Sequence, residues 1–201
     1  RAAAEAAGRE VGVLADLQGP KIRVERFGDG AVMLQPGQPF TLDCRADAPP
    51  GDATRVGVSY LGLPDDVKAG DVLLLDDGLI ALQVHEVAGS QVHCTVQIGG
   101  KLSDRKGLNR KGGGLALAAL SDKDRADIKL AAQLQADFLA VSFVRSAADI
   151  EEARKLLRDA GGNAALVAKI ERAEAIDALE EIVDAADAVM VARGDLGVEI
   201  G

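Results

Sequence analysis

The sequence predicts an α/β protein: a parallel strand–helix unit interrupted by a small all-β domain, either a barrel or a sandwich. Three observations carry this. Between about residues 24 and 110, short β-type runs alternate with turn residues and show no helical period. After Gly112-Gly113-Gly114 the texture changes to alternating strands and amphipathic helices. A chain of 201 residues that is 48% hydrophobic has enough apolar material for one large or two small cores, which excludes disorder.

Residues 1–10 read as the tail of a helix. VGVLADL (11–17) reads as a buried strand ending in a polar group, Asp16. Six β runs follow: AVMLQ, QPFTLDC, RVGVSY, DVLLLDD, LIALQVHEV and QVHCTVQI, separated by Gly-, Pro- and Asp-rich turns. Asp76-Asp77-Gly78 suits a tight hairpin turn, and Gly89-Ser90 a second, which would place His85 opposite Cys94. Two potential ligands do not make a zinc site, so that pair reads as packing. Gly112–Gly114 reads as a hinge, because no Gly-Lys-Ser/Thr follows as in a phosphate loop.

In the second texture, Ser121 with Asp124 forms a capping box before a helix bearing Ile128, Ala131 and Leu134. FLAVSF (138–143) is a buried strand. Ser146 with Asp149 opens a helix with Ile150, Ala153, Leu156 and Leu157 on one face, stopped by Gly161-Gly162. ALVAKIE (165–171) is the next strand. A helix with Ile176, Leu179, Ile182 and Val183 follows, then a strand over AVMVARGD (188–195). Glu180, Glu181, Asp184 and Asp187 read as a solvated helix face and its end. With six residues after Asp195 and no closing helix, the sheet is expected to end on an uncovered edge, as in a piece of a larger domain.

Composition narrows function. The net charge of −9 (23 Lys+Arg, 32 Asp+Glu) argues against nucleic-acid binding, which needs a basic face. No apolar run approaches the roughly 20 residues of a membrane span. The first ten residues lack a signal-peptide core, and two cysteines make no disulfide framework, so a reducing, cytoplasmic location is expected.

Polar residues collect at the C-terminal ends of the predicted strands: Asp16, Ser142 with Arg145, Lys169 with Glu171, and Arg193 with Asp195. In a (β/α) barrel this is the face that carries chemistry. The two-residue period of a strand puts Lys169 and Glu171 on one side, and the next strand would bring Asp195 about 5 Å away. Two adjacent carboxylates attract a hard divalent cation such as Mg²⁺, and Lys169 adds a point charge for an anionic substrate, a phosphate above all. A bare surface ion pair is the alternative for Lys169–Glu171 alone.

The motifs VLADLQGPKIR (13–23), LLLDDGLI (73–80), KGLN (106–109), AVSFVR (140–145), VAKIERAE (167–174) and MVARGDLGVEIG (190–201) resemble the pyruvate kinase family, in its order and spacing and over almost the whole chain. The resemblance implies strands three to six of a (β/α)₈ TIM barrel, with residues 1–23 and 111–201 as barrel segments and 24–110 as an inserted β-barrel lid. It also implies phosphoryl transfer from phosphoenolpyruvate to ADP, giving ATP and pyruvate in glycolysis. These 201 residues would then be an incomplete part, inactive alone, of a parent that is commonly a homotetramer.

Carried over by position, Glu171 and Asp195 correspond to ligands of Mg²⁺, with Mn²⁺ as a substitute. Lys169 corresponds to the catalytic amine that stabilises the phosphoryl group in flight. Gly194 and Asp195 correspond to backbone donors for the substrate carboxylate, at the start of a short LGVEI helix. Arg23 and Lys106 correspond to nucleotide contacts. In the monovalent-cation region Asp16 is kept, Leu17 replaces a Thr and Lys21 replaces a Glu, so K⁺ is expected not to be required. Asn109-Arg110-Lys111-Gly112 stands where many members have Asn-Leu-Pro-Gly, adding positive charge. Two other readings are a non-catalytic nucleotide- or metal-binding fragment and another Mg²⁺-dependent, phosphoenolpyruvate-handling barrel lyase.

Overall fold

The computed structural model describes residues 1–201. In chain order the elements are α1 (Ala2–Ala6), β1 (Leu14–Asp16), β2 (Ala31–Leu34), β3 (Pro39–Asp43), β4 (Arg55–Gly57), α2 (Leu63–Asp66), β5 (Val72–Leu75), β6 (Ile80–Ala88), β7 (Gln91–Ile98), β8 (Gly100–Ser103) and β9 (Leu108–Arg110). There follow α3 (Asp122–Gln133), β10 (Phe138–Val141), α4 (Ala147–Asp159), β11 (Ala165–Ile170), α5 (Glu174–Asp177), α6 (Leu179–Ala185), β12 (Ala188–Val191) and α7 (Arg193–Ile200). The chain divides into two compact units, residues 1–20 with 118–192 and residues 21–117 with 193–201.

The first unit is α/β, with one parallel sheet in the order β1-β10-β11-β12. Parallel neighbours need crossover connections, and α4 and the α5–α6 pair supply them. Both predicted capping boxes form: Ser121 and Asp124, then Ser146 and Asp149, exchange side-chain and backbone bonds at the first turns of α3 and α4. Leu139, Leu166, Ile128, Ile150, Leu157 and Ile182 are fully buried. Leu134, Ile176, Leu179 and Val183, expected on the apolar faces, are exposed instead. β1 and β12 are the sheet's edges, which explains a second departure: Val11, Val13 and Leu14 are exposed, as is all of β12, although their runs read as buried strands.

The second unit is mainly β. One sheet has the order β4-β3-β7-β6-β5-β9, and β2 pairs with β8 in another. Period-two burial drives it: Phe40 and Leu42, Leu73 and Leu75, and Val92, Cys94 and Val96 point into a single core that also takes Leu34, Leu82 and Leu102. All six predicted runs are strands, and β8, β9 and the short α2 add to them. The Asp76-Asp77-Gly78 turn has all three residues at positive φ, 51°, 55° and 87°.

The His85–Cys94 pairing is corrected. β6 and β7 run in register from Ala88↔Gln91 to Glu86↔His93, then slip, so that Cys94 faces Val84. A bulge inserts one unpaired residue on one strand. His85 is that residue, and its Nε2 bonds Thr95 Oγ1 at 2.6 Å. The close of the chain is also corrected: strand β12 stops at Val191, and residues 193–195, read as a strand end, open helix α7, which starts earlier than the expected LGVEI helix and runs to Ile200. No helix of the chain is long and apolar enough to cross a membrane.

Candidate active site

Parallel register places the ends of β1, β10 and β11 level, with Asp16 paired to Ala140 and Val141 to Ala168. Each strand then delivers a polar side chain to the same end: Asp16 from β1, Ser142 just beyond β10, and Lys169 from β11 with Glu171 just beyond it. The predicted juxtaposition of Lys169 and Glu171 is present, with Nζ 3.2 Å from Oε1. Ile170 between them is buried, as the strand period requires.

Lys169 is nearly buried, its side chain 14% exposed, and it is fully engaged. Its ammonium donates to Asp16 Oδ1 at 3.1 Å and to Ser142 Oγ at 2.8 Å, as well as facing Glu171. Burial works against the charge, but the bond to Asp16 and the attraction of Glu171 outweigh it, and the amine is held above its ordinary value. The Glu171 carboxylate is buried, and its second oxygen accepts the Phe143 N–H at 2.8 Å. A carboxylate oriented by one N–H and one ammonium is a fixed, hard oxygen donor, of the kind Mg²⁺ takes.

In the second unit, Asp195 sits in the first turn of α7, where its Oδ1 accepts from Lys21 Nζ at 2.9 Å. This replaces the expectation of Asp195 on a strand. A cavity of about 460 Å³ opens beside Arg193, Gly194 and Gly197, with Lys111 and Asp77 also lining it. Apart from its chain neighbours and the backbone of its own helix, nothing lies within 4 Å of where a Cβ would stand on Gly194, so its backbone is approachable. Arg23 and Lys106 are brought together, since Arg23 bridges to Gly107 and its guanidinium donates to the Arg105 carbonyl at 2.9 Å. Lys106 pairs with Asp76 at 2.8 Å, giving the turn carboxylate a partner that its hairpin role did not predict.

Leu17 is buried, its N–H bonds the Ala140 carbonyl and its own carbonyl accepts from Ser142 Oγ, so position 17 offers no side-chain ligand. Arg145 belongs to the α4 cap rather than to the cluster: its N–H donates to Asp149 at 2.8 Å. Asp187 is more than a solvated helix end, because it accepts from the Leu166 N–H and from Arg154. Arg110, expected to add positive charge, is paired with Asp71 at 3.1 Å. No group of three or more His, Cys, Asp or Glu side chains is arranged to hold a metal.

Parallel strands that present an amine, two carboxylates and a hydroxyl at their C-terminal ends define an α/β protein with an enzyme-like face. Comparison with known proteins makes this specific. Residues 1–201 match the family described as "Pyruvate kinase, barrel domain". The chain is 54% identical to pyruvate kinase II of Salmonella typhimurium over 197 residues, covering 96% of this chain and 41% of that protein. It is 52% identical to the pyruvate kinase of Haemophilus influenzae, covering all of this chain and 43% of that protein. Against the pyruvate kinase of Corynebacterium glutamicum the identity is 48%, over all of this chain and 42% of the relative. The chain belongs to the pyruvate kinase family, which sets aside the barrel-lyase reading.

Proposed function

We propose that the whole protein carrying these residues is a cytoplasmic, glycolytic pyruvate kinase that moves the phosphoryl group of phosphoenolpyruvate to ADP. The observation that supports it best is the buried Lys169–Glu171 pair, held by Asp16, Ser142 and the Phe143 N–H. In the transfer, the phosphorus–oxygen bond to the enol breaks as a bond to the terminal oxygen of ADP forms. Enolpyruvate is left, and it takes a proton on carbon to give pyruvate. Positioning and charge neutralisation dominate such transfers.

Lys169 presents a fixed positive charge to the phosphoryl oxygens. Glu171 and Asp195 are the carboxylates that would hold Mg²⁺ or Mn²⁺, and both are hard oxygen donors suited to it. That cation supplies charge neutralisation at the phosphoryl oxygens when bound. Gly194 and Asp195, in the first turn of α7, offer N–H groups to the substrate carboxylate. Arg23 and Lys106 bind the nucleotide phosphates. In architecture we read strands β1, β10, β11 and β12 as part of a (β/α)₈ barrel and residues 24–110 as a lid that excludes water. The parent assembles as a homotetramer.

Lys21 supplies the positive charge that other members take from K⁺. Its ion pair with Asp195 and the apolar Leu17 support this reading. The experiment is an assay of the whole protein with Mg²⁺, phosphoenolpyruvate and ADP. ATP and pyruvate should form in equal amounts, and turnover should stay within about twofold when Na⁺ or Tris replaces K⁺. No ATP would refute the function, and a clear loss of turnover without K⁺ would refute the role of Lys21.

A further inference from the structure

Beyond β10 the chain makes an unusual turn. Phe143 adopts φ +56°, a conformation that non-glycine residues rarely take, and this turn aims its N–H at Glu171. Gly19, at φ +67°, packs against the turn. A Cβ on Gly19 would stand 2.6 Å from the Phe143 ring and 2.9 Å from Ser142 Cβ, closer than real Cβ contacts allow. The absence of a side chain there lets residues 17–19 close over Ser142.

Ser142 is 2% exposed, and its Oγ has two neighbours, the Leu17 carbonyl at 2.7 Å and Lys169 Nζ at 2.8 Å. A hydroxyl has one proton to give. A carbonyl can only accept, so that proton goes to Leu17, and lone pairs alone face Lys169. The contact with Lys169 is therefore an ammonium donating to oxygen.

Of the oxygens around Lys169, the one on Ser142 is the nearest, and only it is neutral. Asp16 is half-exposed, free to trade its bond for water. Glu171 is the carboxylate that a bound cation would draw on. Ser142 alone stays committed to Lys169 whatever the charge state of the cluster.

We infer that Ser142 is a positioning residue: its hydroxyl, polarised by the Leu17 carbonyl, fixes the direction of the Lys169 ammonium. This rests on the proposed role of Lys169, and the test separates the two claims. In the whole protein, the ammonium protons of Lys169 are read by ¹H–¹⁵N spectroscopy, with the signal assigned by its loss in Lys169→Arg. Held protons exchange slowly enough to be seen. Ser142→Ala should abolish that signal while the backbone amide spectrum stays native. Asp16→Asn should leave the signal in place.

Steady-state kinetics form the second readout. For Ser142→Ala, kcat should fall about tenfold or more, with the KM for phosphoenolpyruvate within about twofold, as expected for a lost bond to a charged group that matters in the transition state. An unchanged ammonium signal, or a kcat within about twofold of wild type, would overturn the inference. If alanine prevents folding, Ser142→Cys is measured in the same two ways and judged by the same outcomes, since it keeps the size and replaces the oxygen with a poor acceptor. An inactive wild type would overturn the proposed function instead, and the ammonium signal would then decide on Ser142 by itself.

Discussion

Lys169 and Lys106 are both paired with an aspartate, yet they sit in opposite kinds of surroundings. Lys169 is nearly buried and has three protein partners gathered at the ends of three strands. Lys106 is 40% exposed and faces Asp76 in a hairpin turn. Burial with many partners fixes a charge in one direction before any substrate arrives. A half-exposed pair can be opened by a ligand with little loss, because surface ion pairs contribute little. The first arrangement suits transition-state stabilisation and the second suits capture of a mobile phosphate chain.

Breaking the buried side of this comparison should cost most. Glu171→Gln removes the carboxylate charge that faces Lys169 and lowers transition-state stabilisation by about 3 kcal/mol or more, read from kcat/KM. Gly19→Ala tests the backbone beneath the cluster. With positive φ and a clash against Phe143 and Ser142, it should destabilise the protein by about 2 kcal/mol or more in denaturant unfolding. On the exposed side the effect should be smaller and of another kind: Lys106→Ala should raise the KM for ADP roughly three- to tenfold, with kcat nearly unchanged.

Extremes of pH should separate the two kinds of charge. The Arg45 guanidinium, in bidentate contact with Asp43, holds that carboxyl below its ordinary 3.8 against the opposing effect of burial. A depressed acid stabilises the fold fully above its unfolded value, and that contribution is lost as pH falls through the folded value. Asp71 behaves alike, with burial opposing the charge and Arg110 prevailing, and so does Asp187 through the Leu166 N–H. Thermal midpoints should therefore drop below about pH 4. Lys169 is raised above 10.5, so its contribution is full below that value and vanishes as pH climbs through the folded one. The smallest effect should be at the thiols. Burial pushes Cys44 and Cys94 up to about 12, so neither should react with a disulfide reagent at pH 8 while the protein is folded.

Much of this is readable from the residues. Period-two runs such as QVHCTVQI fold as written, because burial on one face enforces the register. The side-by-side placement of Lys169 and Glu171 follows from the same period. β8 and β9 escape such a reading because GKLS and LNR are too short and too polar to show any period. The His85 bulge leaves no trace in composition, since a register slip depends on both strands at once. The site's supports are equally hidden. Asp16 and Lys169 lie 153 positions apart, and the left-handed Phe143 that serves Glu171 is a feature of packing around Gly19. Reading 188–195 as one strand fails because the apolar run AVMVA masks the point where the chain turns into α7.

The most direct test of the fixed-charge account is the turnover of Lys169→Met in the whole protein, at saturating phosphoenolpyruvate, ADP and Mg²⁺. Loss of the fixed ammonium should cut kcat by about a hundredfold or more while the KM for ADP stays near wild type. Turnover within about threefold of wild type would show that this amine carries no part of the phosphoryl transfer.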